Sequence, residues 1–209
     1  MSTIVFPAQP DDPATLVRLH ARLAREARAH ALLDVAYRTV VTPVGELLLA
    51  ATPIGLVRVA FGAENAEVRD RTLSELAESV SPRILRDTVG LDATDALDTA
   101  ARQIDEYFAG RRRRFTVPVD LRLATGFRRS VVEHLQNVEY GHRESYATVA
   151  AAVGSPRAVR AVGTACAHNP LPVVIGCHRV VRSDGSFGQY AGGSEAKAAL
   201  LRLEETAAA

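Results

Sequence analysis

The chain has 209 residues, 47% of them hydrophobic and 23% charged, with a net charge of +1, which marks a globular protein of one large or two small domains. Two cysteines, Cys166 and Cys177, are too few for a disulfide framework or a cysteine-rich zinc site. The first residues lack a basic region followed by an apolar stretch, and no run approaches the roughly 20 apolar residues of a membrane helix, so the expectation is a reduced protein of the cytoplasm with no membrane partner.

The charge is unevenly divided. Residues 1–110 carry 11 Arg against 16 acids, residues 111–193 carry 12 Arg against 5, and residues 194–209 carry two bases against three acids. A basic surface is therefore expected on the second half.

Residues 13–33 place Leu16, Leu19, Leu23 and Ala27 at helical spacing, an amphipathic helix expected to pack on the domain that follows. From 35 to 62, β-branched runs broken by "TPVG" and "TPIG" predict a three-stranded antiparallel meander. Helices are expected over 64–79 and 92–109, the second ending at Gly110 as a C-terminal glycine. The run "RRRR" (111–114) then leads into "FTVPVDLRL", an extended linker. The expected fold class is α+β, with a helical extension over 1–34, an N-terminal α/β domain over 35–110, a linker over 111–124, and a mostly helical, winged-helix-like C-terminal domain over 125–209.

In that last segment, "TGFRRSVVEHLQNV" sets Phe127, Val131, Val132, Leu135 and Val138 on one helical face. "ESYATVAAAVGSPRAVRAVGTACAHN" then predicts two helices about a tight joint, with Gly154 left-handed, Ser155 as N-cap and Pro156 as the first helical residue. This is either a helix-turn-helix whose second helix carries Arg157 and Arg160, or an ordinary helical hairpin. After it, "NPLPVVIGCHRVV" predicts a buried strand over Val173–Ile175 with Cys177 near its end. A glycine-rich loop follows, and Ser194 is expected to cap a final helix.

Cys177 beside His178 poses the chemical question. A thiol becomes a nucleophile as its thiolate, which a base promotes. Neighbours on a strand point to opposite faces, so the pair requires an irregular backbone, which Gly176 permits, or a bridging water. Glu204 or Glu205, near the end of the last helix and opposed to its dipole, could orient the histidine. A small buried core thiol is the competing reading, and Cys166, on an alanine-rich helical face, is assigned to it.

The stretch "NPLPVVIGCHRVVRSDGSFGQYAGGSEAKAALLRLE" resembles the active-site region of the O6-alkylguanine-DNA alkyltransferases. The Thr-x-Phe, Tyr-Gly, Ser-Tyr and Arg-Ala-Val-Gly landmarks upstream match as well. The resemblance implies direct-reversal repair of duplex DNA containing O6-alkylguanine, with irreversible, single-turnover transfer of the alkyl group to Cys177, no cofactor, and a monomeric protein. It implies that His178 deprotonates the thiol through a water, Glu204 orients His178, Asn169 braces the turn, and Tyr146 hydrogen-bonds or protonates the departing guanine. It places Ser145, Arg157, Ala158, Arg160 and Gly163 at the DNA, with Arg160 filling the gap left by a flipped nucleotide. Val180, Tyr190, Ala191, Gly192 and Gly193 shape the base pocket.

The chain departs from the family in four places. Gly176 stands where the family has proline, which predicts a looser turn. Val132 replaces a tryptophan, Cys166 a methionine, and the first 34 residues have no counterpart. Some relatives bind zinc in the N-terminal domain, but no cysteine precedes residue 166 and no metal is expected. Two other readings stay open on sequence: a DNA-recognition module or helix-turn-helix regulator without catalysis, and a Cys-His hydrolase.

Overall fold

The computed structural model describes residues 12–30, 32–87 and 95–206. The elements in chain order are α1 (Pro13–Ala29), β1 (Val35–Thr42), β2 (Gly45–Ala51), β3 (Leu56–Phe61), α2 (Ala66–Ser79), β4 (Ile84–Arg86) and α3 (Asp95–Phe108). They continue as α4 (Gly126–Leu135), β5 (Glu144–Ser145), α5 (Tyr146–Ala152), α6 (Val159–Ala167), β6 (Val180–Val181) and α7 (Gly193–Thr206). Expectations for residues 1–11, the 92–94 start of α3 and the alanine tail at 207–209 lie outside the described residues.

The meander forms as expected, but the sheet has a fourth strand. Its order is β3-β2-β1-β4, and β4 joins β1 in parallel, Val35 opposite Ile84. Three residues after "SP" are too short for alternation to show, so only the free edge of β1 reveals this strand. Alternation does sort the longer strands. Leu47, Leu49 and Ala51 face a core shared with α3 and the C-terminal helices, while Leu48 and Ala50 face a smaller cluster with Leu76 of α2. Both faces of the sheet are thus covered. Contrary to expectation, Leu16, Leu19 and Leu23 of α1 do not pack on this domain and are more than half exposed.

The segment after α3 is extended but stitched down rather than loose. Gln103 of α3 donates to Thr116 Oγ1 at 2.7 Å and accepts from the Thr116 amide at 2.8 Å. Leu56 donates to the Pro118 carbonyl at 2.8 Å and Asp120 returns an amide bond to Leu56 at 2.8 Å. Buried Thr52 closes the seam with a 2.7 Å hydrogen bond to Asp120. A 3-10 turn, Leu121–Leu123, then leads into α4.

The joint of α5 and α6 differs in detail from its expected capping. Gly154 is left-handed at φ 73°, and the Ser155 amide reaches back to the Ala150 carbonyl at 2.8 Å, the bond pattern of a glycine-terminated helix. Ser155 does not cap α6. Its carbonyl accepts from the Ala158 amide at 2.8 Å, closing a turn over Pro156 and Arg157, so the helix begins at Val159 with no side-chain cap. Ser194 likewise falls inside the first turn of α7, which Gly193 opens.

Candidate functional site

The run before Cys177 is a turn and not the expected strand. Ile175 donates to the Leu171 carbonyl at 2.8 Å, and buried Val173 sits between them at φ 72°. A β-branched residue there is strained. Asn169 holds the turn from inside, donating to the Ile175 carbonyl at 3.0 Å and accepting from the Leu171 amide at 3.0 Å. Prolines at 170 and 172 remove two amide hydrogens from the entry to this segment, and the positive φ of Val173 turns the chain where apolar β-branched residues favour a strand.

The chain then enters a 3-10 turn, Cys177–Arg179, which supplies the irregular backbone that the Cys-His pair requires. Gly176 is not there for conformational freedom. Its φ of −68° is one that proline prefers. A Cβ at this position would lie 2.8 to 2.9 Å from the Arg179 side chain, so the missing Cβ is the room that Arg179 occupies. Two backbone hydrogen bonds close the turn, Cys177 N to Ile175 O at 2.7 Å and Arg179 N to Gly176 O at 2.9 Å.

Behind the thiol lies a buried polar network centred on Glu204 of α7. Its Oε1 accepts from His178 Nε2 at 2.8 Å, Tyr107 Oη at 2.7 Å and Arg179 Nη2 at 2.9 Å. Its Oε2 accepts from Arg179 Nε and the Gly141 amide, both at 3.0 Å. Arg179 also donates to the Val138 carbonyl at 2.6 Å. Glu205 points outward to pair with Arg143, which decides between the two candidate acids. Burial works against ionising Glu204, but the hydrogen bonds and charges of His178 and Arg179 outweigh it and hold the carboxyl far below the usual carboxylate range.

His178 is completely buried, and desolvation lowers its pKa despite the pull of Glu204. A neutral imidazole facing a carboxylate carries its proton on Nε2, so Nδ1 is a bare acceptor. Nδ1 has no hydrogen-bond partner among the described residues. Cys177 is 1% exposed, and burial pushes its thiol up to about 11, with Asn169 and Lys197 pulling the other way. The resting sulfur is therefore a neutral thiol beside a neutral base.

The remaining predicted residues divide between this interior and an open groove of about 500 Å³ on the face of α6. Tyr146, Arg160 and Gly163 line it with His168, Arg182 and Gly188. Burial, followed by the two thiols, pushes Tyr146 up to about 12, making it a neutral donor. A Cβ on Gly188 would collide with the Tyr146 hydroxyl, so the glycine-rich loop lies directly on this ring. Tyr190 is buried, its ring edge-on to His178 with centroids 6.2 Å apart. Gly192 packs against Phe61, where a Cβ would stand 2.6 Å from the ring.

Five residues fall elsewhere or are otherwise engaged. Ser145 caps α5, accepting from the Thr148 amide at 3.0 Å. Arg157 and Ala158 lie in the turn before α6 and do not line the groove. Ala191 faces a separate cavity at the sheet edge. The Val180 carbonyl accepts from Lys197 Nζ at 2.5 Å.

Sequence reading missed three members of the site. Arg179 stands in "CHRVV" beside the thiol, but the sequence gives it no role. Lys197, the chain's only lysine, is fully buried within 6.0 Å of the Tyr146 and Phe187 rings. Its place before "AALLRLE" in the stretch that carries the resemblance is its signal, but the sequence gives it no role. Tyr107 gave none, because at helical spacing from Leu97, Ala100 and Ile104 it reads as core.

With this geometry in view, the comparisons with known proteins are specific. Residues 35–121 match the family model for the ribonuclease-like domain of 6-O-methylguanine DNA methyltransferase, and residues 126–206 match that for its DNA-binding domain. The chain is 36% identical over 169 residues to the constitutive methylated-DNA–protein-cysteine methyltransferase of Bacillus subtilis, covering 80% of this chain and 94% of that one. It is 35% identical to the Methanosarcina barkeri protein of the same name, covering 81% and 96%. A crystal structure of Mycobacterium tuberculosis O6-methylguanine methyltransferase superposes with a TM-score of 0.69 at 35% identity, covering 84% and 95%. A second, of Mycobacterium tuberculosis OGT in complex with DNA, gives 0.67 at 34%, covering 82% and 94%. The chain belongs to the 6-O-methylguanine DNA methyltransferase family.

Proposed function

We propose that this protein repairs O6-alkylguanine in duplex DNA by moving the alkyl group onto Cys177. The observation that carries the reading is the buried Cys177, His178 and Glu204 arrangement beneath a groove that Arg160 and Tyr146 line. The sulfur attacks the alkyl carbon; the S–C bond forms as the C–O6 bond breaks. The thiol proton passes through a water to His178 Nδ1, and Glu204 stabilises the imidazolium that results. The departing guanine takes a proton from Tyr146 at N3, and that proton is replaced from His178. Thioether and guanine are the products, so each chain acts once.

Cys177 lines none of the groove, and a stacked base cannot present its O6 substituent in line. A flipped nucleotide must displace the loop over Tyr146, with Arg160 taking the vacated space in the duplex. Tyr190 and the Ala191–Gly193 segment wall the base pocket, Val180 borders it, and Ser145, Arg157, Ala158 and Gly163 meet the backbone. One chain holds every part of this site, which supports action as a monomer. The proposed organisation is an extension over 1–34, domains over 35–110 and 125–209, and a joining segment over 111–124. No described helix is long and apolar enough to cross a membrane, and a reaction that needs a reduced thiol and genomic DNA suits the cytoplasm.

Intact mass after incubation with duplex containing O6-methylguanine tests the reading. A gain of one methyl group per chain, mapped to Cys177 and absent from Cys177→Ala, is expected. Tight lesion binding without a mass gain would refute catalysis.

A further inference from the structure

A second cavity, of about 540 Å³, lies at the seam between the sheet layer and the helical half, and neither Cys177, His178 nor Glu204 lines it. Arg58 of β3, Arg71 and Glu75 of α2, Arg128 of α4 and His168 beyond α6 line it. Three guanidinium groups from three elements thus share one cavity with one carboxylate. Glu75 bonds Arg58 at 3.3 Å but is 54% exposed, and exposed pairs of this kind compensate little. Arg128 donates to the neutral Leu123 carbonyl at 2.8 Å, which leaves its charge uncancelled. The Nε atoms of Arg58 and Arg128 are buried without a hydrogen-bond partner among the described residues. Burial lowers the pKa of Arg58; Glu75 opposes that shift and Arg128 adds to it, so the two arginines are near enough to repel.

Bringing like charges with spare donors to a partly dehydrated seam is costly unless an anion joins them. We propose that this seam cavity binds a phosphate group. A tetrahedral phosphate, singly charged in a DNA backbone and up to doubly charged when free, offsets the excess of two positive charges and offers oxygens to guanidinium groups arriving from several directions; a planar carboxylate serves one or two. Ala167 and His168 line both this cavity and the groove on α6. The phosphate can therefore come from the backbone of DNA lying in that groove, or from a free phosphate or nucleotide.

The test compares wild type with Arg58→Gln/Arg128→Gln, and with Arg128→Gln alone in case the double variant folds poorly. The DNA arm rests on the alkyltransferase reading and the protein-only arm does not, so the two can fail separately. In the first arm, melting is followed in inorganic phosphate against chloride at equal ionic strength. A saturable rise in wild-type melting temperature, lost in the variants, is expected. In the second arm, unmodified duplex is bound at several salt concentrations, and one lost phosphate contact lowers the slope of log K against log salt by about 0.9. A lowered slope, with phosphate competing against duplex only in wild type, assigns the phosphate to the DNA backbone. A lost melting response with an unchanged slope assigns it to a free phosphate or nucleotide. A phosphate rise shared by all the proteins, or no rise together with an unchanged slope, overturns the proposal.

Discussion

Tyr107→Phe removes one oxygen from the network behind the thiol and leaves the ring in place. That ring packs against Phe108, Phe115 and Tyr140 with centroids 5.3, 5.4 and 6.0 Å away, contacts phenylalanine keeps. The lost bond is 2.7 Å long and ends on an ionised carboxylate. Both residues are at most 1% exposed, so solvent does not discount it. Hydrogen bonds to charged groups are worth about 1.5–3 kcal/mol, which for a protein of this size lowers the melting temperature by roughly 3–12 °C. Oε1 of Glu204 also binds His178 and Arg179. With one donor gone, its negative charge falls more heavily on the imidazole, and the pKa of His178 rises. Methyl transfer needs neutral His178, so the acid limb of the single-turnover rate profile should move to higher pH. Rapid-quench transfer from methylated duplex between pH 5 and 9, paired with urea unfolding, measures both effects. An unmoved acid limb with a stability loss under about 0.5 kcal/mol would refute the assignment of the hydroxyl to Glu204.

Other outcomes follow from the same geometry. Gly176→Ala should displace Arg179 from Glu204 and lower both stability and transfer rate, while Gly188→Ala should slow transfer alone by crowding Tyr146; equal melting of Gly176→Ala and wild type would contradict the Arg179 packing. Cys177, with its pKa near 11, should react with iodoacetamide at pH 7 about 100-fold more slowly than an ordinary thiol on thiolate fraction alone, and burial should slow it further; quantitative labelling of the native protein within minutes would count against this. Stability should fall with acidification in two stages, because the folded pKa values of His178 and Glu204 lie below their unfolded ones. The unfolded chain takes up protons first, below about pH 6.5 at histidine and then below about 4.3 at glutamate; a urea midpoint that stays flat from pH 7.5 to 4 would exclude this. Arg160→Ala should slow repair in duplex more than in single strands, since only a stack leaves a gap to fill; equal losses would remove that role.

Local signals in the sequence determined much of this protein. The "TPVG" break between two apolar runs sufficed for the hairpin, and Gly154 sufficed for the end of α5, because each depends on the conformational preferences of adjacent residues. The order of residues from Asn169 to Glu204 likewise carried the family resemblance and named the thiol, its base and the acid. Only the tertiary structure decided how these parts work together. The three-residue strand β4 exists because β1 has an open edge. Val173–Ile175 bends where its β-branched composition favours extension, because prolines and Asn169 leave it a turn to complete. Gly176 is required by a neighbouring guanidinium rather than by its own torsion angle. Tyr107 reaches Glu204 across 97 positions in sequence, and nothing local marks it. Burial turns an ordinary core tyrosine, an arginine and the only lysine into parts of a site, since the strength of a polar contact depends on how little water surrounds it, and that depends on the whole fold.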